Sequence, residues 1–179
     1  MKFRLFVVAI IYLMHNYYSA QQTNFEYFNT HPEGLSQSVV NEIMQDSKGY
    51  LWISTYDGLN QFDGDVFNCF YREDGLYGHE IECTSEDRFG RIWVATRRGL
   101  NCIENDKVIA TPAELQKTVL SNHVSKLYYS GDDRLYIALK TKRKLSQNRF
   151  YSSLLYWDHI NTVDVKLPSD TTEIFQIIE

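Results

Sequence analysis

The side chains best suited to bind a charged ligand are concentrated in one stretch of the chain. The 179 residues carry a net charge of −5, which argues against a nucleic-acid-binding role because such a surface needs a basic face. Five basic residues nevertheless fall within ten positions: Lys140, Lys142, Arg143, Lys144 and Arg149. Such groups bind sulfate and carboxylate, so the stretch is a candidate contact for an anionic glycan. The alternative is a solvated loop that binds nothing.

Cysteine and carboxylate residues suggest no catalytic or metal site. Cys69, Cys83 and Cys102 are odd in number and lack a short spacing, so we expect small buried side chains, although an oxidising compartment would permit one disulfide. A glycosidase needs two carboxylates beside the bond that it cleaves, and no such pair stands out among the carboxylates outside the repeated positions. We therefore expect no catalytic residue, metal or cofactor in this chain.

An internal repeat must position the candidate residues. Seven residues recur 41 positions later in the chain, as the pairs Leu35/Leu76, Asp46/Asp87, Gly49/Gly90, Trp52/Trp93, Thr55/Thr96, Gly58/Gly99 and Asn60/Asn101. A unit of this length with turn residues inside it indicates a β-propeller blade of four antiparallel strands. In the first copy the four strands are predicted over residues 39–45, 51–55, 59–62 and 66–71.

The repeated aspartates and tryptophans are predicted to be structural. Asp46 and Asp87 are expected to bond backbone N–H groups in turns that Gly49 and Gly90 close, rather than to form an acid pair. Gly58 and Gly99 are expected in the next hairpin turns. The tryptophans could stack on sugar rings, but their identical placement favours packing between neighbouring blades. The residues assigned to this structural set are Asp46, Gly49, Trp52, Gly58, Asp87, Gly90, Trp93 and Gly99.

A third copy is less regular. Residues 120–124, 135–138 and 153–158 resemble the first copy, but Tyr136 replaces the tryptophan, Asp133 replaces a glycine, and eleven residues are inserted in the second turn. The predicted fold is therefore all-β. It is a partial β-propeller of about three four-stranded antiparallel blades, plus the first strand of a fourth and one short helical turn near residues 112–119. The blades are predicted over residues 35–73, 76–110 and 120–166, with the next beginning at 171–179.

The turns that join second and third strands should share one face of the propeller, because they have the same place in every blade. Arg97 and Arg98 occupy this turn in the second copy, and the insertion occupies it in the third. We hypothesise that Arg97, Arg98, Lys142, Arg143 and Lys144 form a basic patch for ligand binding.

Two histidines are predicted to share another repeated position. His79 and His123 both lie three residues after a leucine that opens a copy. They could bind a metal or act as the base of a lyase, whereas the alternative is a pair of exposed loop histidines. No carboxylate or cysteine stands at ligand spacing beside them.

The first twenty residues have the layout of a secretory signal peptide. Lys2 and Arg4 precede an apolar run, and Ser19 and Ala20 are small residues at a cleavage position. The run is shorter than the roughly 20 residues that span a bilayer. Residues 21–179 would then form the propeller region, with residues 25–28 as the outer strand of a closing blade. Because a blade needs neighbours on both sides, we expect the chain to begin a longer protein or to be a truncated product.

The repeated unit resembles the two-component regulator propeller repeat. The resemblance rests on Asp46-x-x-Gly49-x-Leu51-Trp52-Ile53-x-Thr55-x-Asp57-Gly58-Leu59-Asn60 and on its second copy. It implies an exported sensor on the periplasmic side of the inner membrane, followed by a membrane helix and an output part that is commonly a histidine kinase. The implied partners are an oligosaccharide or other small ligand, the remaining blades and a second copy of the protein.

Two other functions also fit the sequence. A secreted propeller enzyme such as a lyase agrees with export and fold but lacks a recognisable acid–base set. A propeller interaction scaffold agrees with any such repeat. We expect this chain itself not to be an enzyme and not to contact nucleic acid.

Overall fold

Three four-stranded antiparallel sheets make up the fold. The computed structural model describes residues 27–28, 30, 34–120, 122–141 and 151–165, and each sheet is ordered as the chain runs. Blade 1 consists of β1 (Val40–Gln45), β2 (Leu51–Thr55), β3 (Gly58–Phe62) and β4 (Phe67–Phe70). Blade 2 consists of β5 (Ile81–Glu86), β6 (Ile92–Thr96), β7 (Gly99–Glu104) and β8 (Lys107–Ile109). Blade 3 consists of β9 (His123–Tyr129), β10 (Leu135–Thr141), β11 (Tyr151–Trp157) and β12 (Thr162–Val165).

The predicted all-β fold of propeller blades is confirmed. In blade 1 the observed strand ends lie within one residue of the predicted ones, because each turn is fixed by an Asp or a Gly. The predicted signal peptide and the predicted strand at 171–179 lie outside the described residues. No helix in the described part of the chain is long and apolar enough to cross a bilayer.

One helix lies between blades 2 and 3. A 3₁₀ turn (Arg72–Asp74) joins blades 1 and 2, whereas α1 (Ala113–Val119) joins blades 2 and 3. The helix is longer than the single turn expected, because Leu115 and Val119 lie on the same face and are both buried in the core between those blades.

Asp46 holds the first turn of blade 1 together. Its Oδ1 accepts the backbone N–H of Lys48 at 3.0 Å and of Tyr50 at 2.9 Å. Its Oδ2 accepts the indole N–H of Trp52 at 2.8 Å. The aspartate therefore does more than close the turn, because it also satisfies the one polar group of a buried tryptophan.

Asp87 makes the same contacts in blade 2. Its carboxylate accepts the backbone N–H groups of Phe89 and Arg91 and, at 3.0 Å, the indole N–H of Trp93. Arg91 adds an ion pair to it at 2.7 Å. We call this arrangement the Asp–Trp clasp, and its repetition gives the two tryptophans the like surroundings that the repeat predicts.

The blades bury their faces against each other. Trp52 is stacked on Phe70 at 5.8 Å between centroids and packs against the residues of blade 2 that face blade 1. Trp93 meets Trp157 of blade 3 edge-on at 5.3 Å. Each tryptophan thus fills the space between its own blade and the next, as expected.

The repeated asparagines, which the sequence left without a role, anchor the segment that leads into each blade. Asn60 Oδ1 accepts the backbone N–H of Ser36 at 2.7 Å, and its amide donates to the carbonyl of Ile53 at 3.0 Å. Asn101 Oδ1 accepts the backbone N–H of Tyr77 at 2.9 Å. Both asparagine side chains are buried. They therefore provide hydrogen-bond partners for backbone groups to which water has no access.

The segment before blade 1 packs against it. Tyr27 and Phe28 are not part of a strand, but the strand expected over 25–28 would belong to a closing blade that is not among the described sheets, so it stays a prediction. The ring of Phe28 lies edge-on to Phe62 and Phe67, at 5.0 and 5.3 Å between centroids. It covers part of the apolar face of blade 1.

Candidate functional site

The turns between second and third strands lie at one end of the blades, which we call the upper rim. In blade 1, Thr55 Oγ1 accepts the backbone N–H of Asp57 and donates to the carbonyl of Gly58. The N–H of Gly58 then donates to the carbonyl of His79 at 2.8 Å. The turn of blade 1 is therefore tied to the segment that leads into blade 2.

Arg97, a predicted ligand-binding residue, is held in this rim by two carboxylates. Its Nε donates to Glu82 Oε1 at 2.9 Å and forms a second ion pair with Glu80. Its guanidinium also lies 5.9 Å from the ring centroid of Tyr56 in blade 1, within reach of a cation–π interaction. Because Glu80 and Glu82 compensate its charge, Arg97 does not form a basic patch by itself.

His123 is not the exposed loop residue that was expected. It lies at the start of β9, its side chain is 19% exposed, and its Nε2 is 2.9 Å from Glu82 Oε1. Its burial could not be predicted because its partner, Glu82, lies in the neighbouring blade and is distant in sequence. His79 is half-exposed, and its Nε2 lies 3.9 Å from Glu80 Oε1.

The strand register also corrects the equivalence of the two histidines. Val124 pairs with Leu139 as Ile81 pairs with Thr96, so His123 occupies the position of Glu80 rather than of His79. The connection from the opening leucine to the strand is one residue shorter in blade 3, with three residues between Leu120 and Val124 and four between Leu76 and Ile81, and this produces the shift.

Glu82 is the electrostatic centre of this group. Burial alone would raise its pKa, but hydrogen bonds and charge from His123 and Arg97 outweigh that effect and hold the pKa at about 2. The hydrogen bond to Glu82 in turn raises the pKa of Arg97 above its usual value. We call Glu80, Glu82, Arg97 and His123 the upper-rim cluster.

The sequence analysis missed the two carboxylates of this cluster. They replace Val39 and Asn41 of the first copy, so a comparison of the positions where copies differ would have found them. As carboxylates outside the repeated positions, Glu80 and Glu82 did not stand out as a glycosidase pair.

The other predicted ligand-binding residues are only partly placed. Arg98 is exposed, and its backbone N–H donates to Thr96 Oγ1. Lys142, Arg143 and Lys144 lie outside the described residues. They fall in the sequence between Thr141 and Tyr151, which pair with each other at the upper end of blade 3. Lys140 belongs to β10 and not to the turn, since the insertion lengthens both strands.

The cysteines are not paired with one another. Cys83 and Cys102 are buried, as expected, and Cys69 is partly buried. Burial raises the pKa of Cys102 to about 12 and that of Cys83 still further, which leaves both as unreactive thiols. Within the described ranges no group of three potential ligands is placed to hold a metal ion.

Tandem four-stranded sheets with a repeated Asp–Trp clasp define the chain as a region of β-propeller blades. Residues 34–57 match the family described as two component regulator propeller. A segment of 52 residues, 28% of this chain, is 50% identical to Histidine kinase P4 of Formosa agariphila, of which the match covers 4%. The predicted resemblance to the two-component regulator propeller repeat is therefore confirmed over residues 34–57, and part of the chain is similar to part of a protein named as a histidine kinase.

Proposed function

We propose that this chain is the extracytoplasmic, ligand-sensing part of a two-component transmembrane regulator and that its ligand is an anionic glycan bound at the upper rim. The observation that carries the proposal is the match of the blade 1 repeat to the two-component regulator propeller family, together with the similarity to a protein named as a histidine kinase. A propeller supplies no phosphoryl-transfer chemistry, so its role in such a protein is recognition.

The charges of the upper rim support an anionic ligand. Arg98 is exposed there, and Lys142, Arg143 and Lys144 belong to the segment that leaves and returns at the same end. Guanidinium groups bind sulfate and carboxylate in a bidentate manner. Arg97 is engaged by Glu80 and Glu82, so an anionic ligand would have to compete with these carboxylates for it.

Charge reversal in the complete regulator tests this proposal. The variant combines Arg97→Glu, Arg98→Glu, Arg143→Glu and Lys144→Glu, and the readout is transcriptional induction by an acidic polysaccharide in the native host. We expect induction to fall at least about tenfold, because four favourable charge contacts become repulsive. Unchanged induction would show that the upper rim does not bind the ligand.

A matched control reverses charge elsewhere on the surface. Lys107→Glu and Lys117→Glu change exposed residues of β8 and α1 and should leave induction intact. Binding of the purified chain to dextran sulfate, compared with uncharged dextran, measures the same preference without the output part. Equal binding of the two polymers would argue against an anionic ligand.

A further inference from the structure

A cleft of about 470 Å³ lies at the opposite end of the blades. This end, which we call the lower rim, carries the turns between first and second strands. Six of the residues that line the cleft carry the argument: Ser47, Glu86, Arg88, Tyr129, Ser130 and Asp133. All three blades contribute, and the volume lies in the range of roughly 300–1,000 Å³ that is usual for small-molecule sites.

Blade 3 departs from the repeat where it lines this cleft. Ser130 stands where blades 1 and 2 have the clasp aspartate, and Asp133 stands where they have Gly49 and Gly90. The backbone of Asp133 has a φ of +67°, a left-handed conformation that favours glycine. Aspartate is one of the few residues besides glycine that adopt this conformation readily, so blade 3 carries a carboxylate here at a small cost in backbone energy.

The carboxylate of Asp133 gathers three side chains. Arg88 Nη2 of blade 2 lies 2.9 Å from Oδ2, and His159 Nε2 lies 3.1 Å from Oδ1. The hydroxyl of Tyr129 donates to the same Oδ1 and lies 3.2 Å from His159 Nε2. Asp133 thereby fixes the guanidinium of Arg88 and the phenol of Tyr129 at the wall of the cleft, and His159, which does not line the cleft, holds Asp133 in place.

The charges in the cleft are nearly balanced. Arg88 compensates Asp133, and Arg91 compensates the buried Asp87 at 2.7 Å. Glu86 remains, and its two oxygens accept the hydroxyl and the backbone N–H of Ser47 at 2.6 and 2.7 Å. Neither an anion nor a strong cation is favoured by such a wall, whereas its donors and acceptors suit hydroxyl groups, which both donate and accept.

An exposed aromatic ring stands beside the cleft. Phe89 is 59% exposed although it follows the buried Asp87. Its ring lies 4.6 Å from the guanidinium carbon of Arg88, 5.0 Å from that of Arg91, and edge-on to His159 at 6.0 Å. The ring is thereby held in place and offers an apolar surface next to the polar wall.

We propose that the lower cleft is a binding site for a neutral saccharide unit. The polar wall of Glu86, Arg88, Tyr129 and Asp133 would bond the hydroxyl groups, and Phe89 would contact the apolar face of the ring. This site does not depend on the anionic ligand proposed for the upper rim, and either can be present without the other.

The substitution that tests this site restores the repeat. Asp133→Gly returns blade 3 to the glycine of the other blades, so folding is not expected to suffer, while the group that holds Arg88, Tyr129 and His159 is lost. Asp106→Gly is the matched control, since Asp106 is also an aspartate with positive φ, at +58°, in an exposed turn between β7 and β8.

Binding is measured on the full chain by isothermal titration with D-glucose, D-galactose and D-mannose, and by the tyrosine and tryptophan fluorescence of the same samples. We expect at least one hexose to bind in the millimolar range, Asp133→Gly and Glu86→Gln to weaken it at least about tenfold, and Asp106→Gly to bind as the wild type does. Absence of binding for all three sugars, or equal binding by Asp133→Gly, would overturn the proposal.

Two further outcomes separate this site from the upper rim. Hexose binding that survives Arg97→Glu with Arg98→Glu supports a distinct lower site. Hexose binding that is lost in that variant and kept in Asp133→Gly assigns the sugar to the upper rim and refutes the lower site. Dextran sulfate binding without hexose binding would leave the proposed function intact while this inference fails.

Discussion

Blades 2 and 3 are built on the same four-stranded unit but close their first turn differently. In blade 2 the clasp of Asp87 and Trp93 buries the indole and leaves Gly90 at the positive-φ position. In blade 3 Ser130 and Tyr136 replace both partners of the clasp, and Asp133 replaces the glycine. Because both are replaced in blade 3, neither a buried indole nor its acceptor is left there without a partner.

This difference separates two kinds of residue. Positions that agree between blades hold the blade together, whereas the positions that differ are where contacts specific to one blade appear. Asp133 at the lower rim and Glu80 and Glu82 at the upper rim are such departures, and each gathers partners from a neighbouring blade or strand. Comparison of the copies with one another therefore identifies candidate functional residues.

The largest effect should come from removing the indole of blade 2. Trp93→Ala leaves a cavity between blades 2 and 3 and removes one of the hydrogen bonds to Asp87, so we expect a loss of about 3–5 kcal/mol in the free energy of unfolding. Tyr136→Ala, the equivalent change in blade 3, should cost less than half as much because that side chain is only partly buried. Urea unfolding measures both, and equal losses would contradict the comparison.

The next largest effect concerns the other partner of the clasp. Asp87→Ala removes the acceptor for two backbone N–H groups, the indole and Arg91, and we expect a loss of about 2–3 kcal/mol. Ser130→Ala should cost less than about 1 kcal/mol. The melting temperatures of the two variants measure these losses. If Ser130→Ala were as unstable as Asp87→Ala, the first turns of blades 2 and 3 would contribute equally to stability, which would contradict the comparison.

A smaller effect is expected from exchanging the residues at the positive-φ position. Gly90→Ala forces a Cβ onto a backbone with φ of +75° and should cost about 1 kcal/mol. Asp133→Gly should change stability by less than that, because glycine accepts the positive φ of this position without steric cost, which offsets the loss of the half-exposed pair with Arg88. Chemical denaturation of both variants checks the contrast.

The smallest effect is a dependence of stability on pH. It arises at the upper rim, where Glu82 of blade 2 contacts His123 of blade 3. The pKa of Glu82 is lowered from 4.5 to about 2 in the folded protein. Its contribution to stability is therefore present above pH 4.5 and is lost as the pH falls towards 2. Glu82→Gln should flatten the change of melting temperature over this interval relative to the wild type. An identical pH profile would show that Glu82 is not held by His123 and Arg97.

The fold could be predicted from the sequence because each turn carries its own signal. Asp46, Gly49 and Gly58 act through local hydrogen bonds and backbone conformation, which a spacing in the sequence preserves. Contacts between blades could not be predicted in the same way. Glu82 meets His123, and Arg88 meets Asp133, across more than 40 positions of sequence, and their partners become neighbours only after the sheets stack.

The order of the two histidines shows a second limit. Their spacing from Leu76 and Leu120 gave the wrong equivalence because the connection before β9 is one residue shorter than the one before β5, and only the pairing of Val124 with Leu139 reveals it. Since side chains alternate along a strand, an error of one residue exchanges the faces of the sheet. The predicted role of Arg98 and of residues 142–144 remains a prediction.

Hydrogen exchange of the indole N–H groups of Trp52 and Trp93 tests the repeated clasp most directly. Both groups are buried and donate to an aspartate, so the wild type should protect both strongly against exchange, as followed by NMR. Asp46→Ala should release Trp52 alone, and Asp87→Ala should release Trp93 alone. Rapid exchange of either indole in the wild type would contradict the account that two equivalent blades are closed by the same pair of side chains.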